Sequence, residues 1–335
     1  VPVAEGLYFR IAGSSKDRNG YVRGLFSPTE NPFPAGPSGI STQTDLGNEN
    51  RAAVRGTLLW EASPRFTVSL TGDFARIREN NAASVLRGVT GEDDPALGPA
   101  TFFYNLLQAG GVTIPGFDNA LYTDANWVTG DLKTNYATGP NGTSIDAWGA
   151  SLVLDWRVMD NLTIKSLTAY RKSDGFFNRD ADGSPIDITH TMNYDYRHEQ
   201  FSQELQLIGD LADGRLRYAA GVYYFKEEGS DPLVVDLPDS FATIFIDVAD
   251  IDNESMAGYA QATFDITSAL SLTGGIRYTE DKKKFFTDQY LVTGSASEII
   301  FGAPPGAVVP LVPRNSRVSE KFTNWSPRVS LEFAV

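Results

Sequence analysis

The segment Asn178-Arg179-Asp180-Ala181-Asp182-Gly183 sets three oxygen-bearing side chains at alternate positions ahead of a glycine. Hard oxygen ligands at that spacing, followed by a residue free to turn, are the chemistry of a calcium loop. The bidentate acid expected at the twelfth position is missing, because that residue is Thr189. An Asx-type turn uses the same residues without a metal. Asn178, Asp180 and Asp182 are therefore the candidate metal ligands, calcium is the one cofactor suggested, and the plain turn stands beside it.

A second set of candidates lies in segment 79–144, where Phe102, Phe103 and Tyr104 are followed by Tyr122 and Trp127. Aromatic faces of this kind can stack on a flat ligand, although loop aromatics also pack beneath their own loop. Catalytic signals are sparse. The two histidines are His190 and His198, and none of HExxH, GxSxG or GxxxxGK[ST] occurs. His198 beside Glu199 imitates the acid and base of a hydrolase, but no nucleophile converges on it, and the chain reads as non-enzymatic. With no cysteine, a disulfide framework and thiolate metal sites are excluded. A formal charge of −14 excludes a nucleic-acid partner, which needs a cationic surface.

These residues must be carried by strands. No run of about 18 apolar residues is present, so no transmembrane helix is expected. Period-two alternation instead marks ten segments, at 5–15, 50–61, 65–78, 145–157, 162–178, 196–209, 215–228, 254–266, 270–286 and 318–335. In Leu270–Phe285, the set Leu270, Leu272, Gly274, Ile276, Tyr278 is uncharged and the set Ser271, Thr273, Gly275, Arg277, Thr279 is polar. Trp148, Ala150, Leu152, Leu154 and Trp156 form a similar stripe with tryptophan at both ends. Counting out from the turns places Trp60 near Phe66 and Asp155 near Lys165, and Arg217 with Glu204 and Gln206 reads as a polar group on the interior face.

The joins alternate. Short ones fall at 63–64, 159–161, 210–214 and 267–269, and long ones at 24–48, 79–144, 179–194, 229–252 and 287–316. In an up-and-down antiparallel sheet, every short turn then lies at one end and every long loop at the other. Strand length, aromatic ends and a polar opposite face favour a membrane barrel over a soluble β-sandwich. The fold class predicted is all-β: part of an up-and-down transmembrane β-barrel of about ten strands, with short periplasmic turns and long extracellular loops. The first residue is not Met and the last strand has no turn after it, so both ends read as cut from a longer chain.

The stretches FSQELQLIGDLADGRLRYAAGVYYFKEE, GYAQATFDITSALSLTGGIRYTEDKKKF, WGASLVLDWRVMDNLTIKSLTAYR and NWSPRVSLEF resemble the barrel of TonB-dependent outer-membrane receptors of Gram-negative bacteria. The resemblance covers essentially all of residues 1–335. It implies a 22-stranded barrel filled by an N-terminal plug, with a short box contacting TonB, and neither plug nor box is seen here. It also implies energy-coupled uptake of a scarce ligand, most simply a ferric siderophore, by a protein set in outer-membrane lipid. A passive porin or structural barrel is the alternative, and a barrel hydrolase the second. On the barrel reading, Trp148, Trp156, Tyr218, Tyr224, Leu272 and Ile276 face lipid, while Arg217, Arg277 and Glu204 face the interior. Strands 5–15 and 318–335 are expected at opposite, unpaired edges.

Overall fold

The computed structural model describes residues 2–25, 45–88, 128–137, 141–181, 183, 189–237, 243–293, 304 and 306–334. The strands are β1 (Pro2–Ala4), β2 (Leu7–Arg18), β3 (Arg23–Gly24), β4 (Glu49–Ser63), β5 (Phe66–Glu79), β6 (Thr134–Asn135), β7 (Gly142–Met159) and β8 (Leu162–Asp180). They continue with β9 (His190–Leu211), β10 (Leu216–Ser230), β11 (Leu233–Leu237), β12 (Thr243–Asp265), β13 (Leu270–Thr293), β14 (Val308–Pro310) and β15 (Ser316–Phe333). Thirteen share one sheet, while β3 and β6 pair separately. Its ten long strands are the ten that alternation marks.

Each long strand is antiparallel to its neighbours, in the order β2-β4-β5-β7-β8-β9-β10-β12-β13, with β15 on the far side of β13. The four short joins therefore lie at one end, as expected. Among the described residues β2 and β15 do not pair, and the sheet is open. A bulge at Ala62 sets Trp60 opposite Val68, two pairs away from Phe66.

Three strands outrun their alternation. β9 begins at His190, β12 at Thr243, and β13 ends at Thr293, so much of the expected loops 179–194, 229–252 and 287–316 is strand. The β12–β13 ladder is continuous from Asp265↔Ser271 to Thr243↔Thr293. The extensions carry charge on both faces, as in Asp247 on one side of β12 and Asp250 and Asp252 on the other. A strand bathed in water on both sides keeps its backbone bonds while losing the alternation that revealed it. β11 continues β10 past Asp231-Pro232, pairing with the same two neighbours, β9 and β12. Proline lacks the N–H that an unbroken ladder would need there.

Register puts the apolar stripes on one face. A single transverse row runs Leu7, Trp60, Val68, Leu154, Ser166, Leu205, Val222, Gly258, Tyr278, Trp325. Trp148, Trp156, Tyr218, Tyr224, Leu272 and Ile276 share this face, and Arg217, Arg277 and Glu204 the other, as expected. Among the described residues no second layer covers it: Trp148 is 43% exposed, Ile276 49% and Trp325 62%. The buried hydrophobic side chains among the described residues are Val22, Leu46, Val234 and Ala257, which is no sandwich core. A polar patch interrupts the stripe, where Gln203 accepts a bond from Thr168 (2.6 Å) and donates one to Ser166 (3.0 Å).

The boundary between apolar and charged residues steps down across the sheet. From the shared row it is reached at Arg76 on β5, Lys172 on β8, Lys226 on β10 and Glu280 on β13, progressively closer. A flat water boundary crossing staggered strands gives this pattern, which is the tilt and shear of a barrel wall.

Candidate functional site

The polar face carries the networks that link strands, and its curvature shows in how they are built. Tyr259 reaches from β12 across β10 to Glu204 on β9, donating a 2.7 Å hydrogen bond to Oε1. It passes over Gly221, where a Cβ would lie 2.7 Å from the Tyr259 hydroxyl. Arg171 likewise reaches from β8 across β7 to both carboxylate oxygens of Asp73 on β5, each at 2.9 Å. It passes over Gly149, where a Cβ would sit 3.0 Å from the guanidinium. Side chains that span two strand spacings converge on a concave side, while the exposed apolar side chains diverge on the convex one.

Around Glu204 the arrangement is compact. Gln206 donates to the same oxygen at 2.9 Å, and the Arg277 guanidinium lies 5.8 Å from the Tyr259 ring centroid and 6.0 Å from that of Tyr223. Arg277 is thus the cation beside Glu204. The expected Arg217 is not: it forms paired bonds with Asp265, at 2.8 and 3.0 Å. Gln206 is the register partner of Gly221, four residues along β10 from Arg217, or about 13 Å at strand rise, beyond easy reach. Asp155 and Lys165 do pair, at 3.7 Å. Tyr259 and Arg277 were legible only as inward positions, and Gly221 between strands was the available signal of a side chain crossing over it.

Tyr259→Phe removes the hydroxyl donor from Glu204 while keeping the ring under Arg277. We expect a loss of about 1.5 kcal/mol, the low end for a bond to a charged group, because this face is wet. Urea unfolding of the barrel in micelles measures it, and an unchanged midpoint would mean that water replaces the hydroxyl without cost.

Above the band, where β10 changes from Tyr224 to Lys226 and Glu228 on its convex face, Glu227 accepts from Asn253 (3.0 Å) and pairs with His198 (2.8 Å). Those bonds, Asn253 first, hold the Glu227 carboxyl below the usual carboxylate range. The acid beside His198 is therefore Glu227 on the next strand. Glu199 points to the opposite face and accepts from the Tyr170 hydroxyl at 2.7 Å, because neighbours in a strand alternate sides. No nucleophile is hydrogen-bonded to His198 among the described residues.

Phe102, Phe103, Tyr104, Tyr122, Trp127 and Asp182 lie outside the described residues. Asn178 and Asp180 stand two apart on β8 at the long-loop end. Asp180 Oδ1 accepts the Gly183 N–H at 2.7 Å, with Gly183 at φ 68°, the geometry of a local turn.

A single antiparallel sheet, tilted, apolar on its convex face and polar on its concave one, defines the wall of a transmembrane β-barrel. Residues 85–335 match the model of the TonB-dependent receptor-like β-barrel, and the chain belongs to that family. Solved structures agree in fold. The ferric yersiniabactin uptake receptor of Yersinia pestis aligns over 98% of this chain and 40% of its own, with TM-score 0.60 and 12% identity. The open form of a ferric-catecholate import receptor of E. coli K12 aligns over 97% and 48%, at TM-score 0.52 and 14% identity. A siderophore receptor of Acinetobacter baumannii aligns over 99% and 44%, at 0.54 and 12%. This chain thus spans less than half the length of each. No curated protein matches it in sequence. The family and these neighbours are transport receptors, not enzymes.

Proposed function

We propose that this chain forms part of the wall of an energy-coupled outer-membrane receptor that takes up a scarce ligand, with a ferric siderophore the best-supported class. Family membership over residues 85–335 carries the reading, and the siderophore receptors among its structural neighbours support the ligand class. The concave network of Glu204, Tyr259, Arg277, Asp73 and Arg171 supplies a polar wall against which a plug would move. TonB, acting through a plug and box, is the proposed energy source, and the outer membrane of a Gram-negative bacterium the proposed location. The five aromatics Phe102, Phe103, Tyr104, Tyr122 and Trp127 remain the proposed ligand contacts. A complete ten-stranded pore would need β2 and β15 to join, and among the described residues they do not.

The test is uptake of radiolabelled ferric siderophores by cells expressing the complete receptor, with and without TonB. We expect accumulation only with TonB. Uptake indifferent to TonB would remove the receptor reading, and TonB-dependent uptake of a sugar or cobalamin alone would overturn the ligand class.

A further inference from the structure

The concave face is uneven in charge. Leu7 and Trp60 belong to the convex row, so the even positions of β2 and the odd positions of β4 face inward. In register these are Arg18 opposite Glu49, Lys16 opposite Arg51, Ser14 opposite Ala53, Ala12 opposite Arg55, and Arg10 opposite Thr57. Arg18, Lys16, Arg51, Arg55 and Arg10 thus line one lane in a chain whose formal charge is −14. From Arg18 to Arg10 the lane runs about 26 Å at strand rise.

Its mouth is neutralised and its depth is not. Near the long-loop end, Glu49 lies 2.6 Å from Lys16 and 3.5 Å from Arg18, and Glu79 accepts from Arg51 at 2.5 and 2.9 Å. Deeper in, Arg10 and Arg55 form no hydrogen bond or ion pair among the described residues. Asp73 is the register partner of Arg55, yet both its oxygens are bonded to Arg171, which reaches it from β8. Arg10 and Arg55 are diagonal neighbours, near enough for long side chains to meet one ligand. Beside them Ala12, Ser14, Ala53 and Ala75 leave a cavity of about 330 Å³, walled by Arg55, Asp73 and Arg171. That is the small end of ligand pockets, so it seats one part of a ligand.

We propose that this lane receives the negative charge of the transported ligand, and that the ligand is therefore an anionic iron complex, not a neutral or cationic one. The inference rests on the uptake reading above and names the charge of its substrate. Around the cavity Arg10, Arg55 and Arg171 outnumber Asp73, whereas at the mouth each cation has a carboxylate beside it. The wall therefore becomes more positive inward. A charged cleft between low-dielectric walls focuses its field and concentrates the counter-ion, and rings of Arg and Lys select anions in pores on the same ground. A neutral ligand would gain nothing from unpaired guanidiniums, and a cation would be repelled by them.

The test is uptake by cells expressing the complete receptor with and without TonB, supplied with a trianionic ferric tris-catecholate or a neutral ferric tris-hydroxamate. We expect the wild type to favour the tris-catecholate, with an apparent KM that rises as salt is added. Arg10→Gln combined with Arg55→Gln should raise that KM about tenfold and flatten its salt dependence. Arg55→Lys, which keeps the charge, should stay within about twofold of wild type, and so separates lost charge from misfolding. Uptake confined to the neutral complex, or a tris-catecholate KM unchanged in the double variant, would overturn the inference and leave the receptor reading standing. Equal loss of both complexes in the double variant would also overturn it, assigning the arginines to an acidic protein segment inside the barrel. TonB-dependent uptake of neither complex would remove the siderophore reading, and this inference with it.

Discussion

Ile276→Arg lowers the unfolding free energy of the bilayer-inserted barrel by about 2–4 kcal/mol, the cost of an arginine near the middle of the lipid face of an outer-membrane barrel. Ile276 lies between Ala260 and Pro327 in register and is 49% exposed on the convex side. Its guanidinium would enter hydrocarbon with small neighbours that cannot shield it. The control is Ser255→Arg, opposite Phe225 and Asp281 on the concave side. There water and a carboxylate receive the charge, and the change should stay within about 0.5 kcal/mol. Urea unfolding in phospholipid vesicles, followed by tryptophan fluorescence, compares the two. A larger loss for Ser255→Arg would invert the assignment of faces.

The residues of this chain, produced alone, should not persist as an inserted monomer. Among the described residues β15 pairs only with β13, and β2 has beyond it only the three-residue β1. Much of the outer ladder of the 12-residue β2 and the 18-residue β15 is therefore without a partner strand. In hydrocarbon each unsatisfied backbone group costs several kcal/mol, so a few exposed pairs exceed the whole stability of an ordinary domain. Edge-to-edge association relieves the cost, and aggregation is the expected outcome. Refolding into vesicles, with flotation and heat-dependent gel mobility as readouts, measures this. A protease-resistant monomer that passes small solutes would mean that β2 and β15 can close, and would restore the porin reading.

Period-two alternation is local, because the pleat alone sends neighbours to opposite faces. Leu272 and Ile276 against Arg277, or Trp148 and Trp156 against Asp155, are therefore sorted by reading one strand at a time. The alternation of short and long joins is equally local, and it determined the shared end of the four turns. Asp155 and Lys165 were legible because they flank a short turn whose register can be counted. Where a strand leaves the membrane, as β12 does before Glu254, both faces meet water and the contrast disappears, so its extension to Thr243 became visible only through the ladder with β13. Partnerships across an intervening strand were likewise beyond the sequence. That Tyr259 and Arg277, not Arg217, attend Glu204, and that Glu227, not Glu199, attends His198, depends on the stagger between strands and on curvature that lets a side chain pass over Gly221. Sequence patterns sort faces; tertiary structure sets distances between strands, and these contacts are decided by distance.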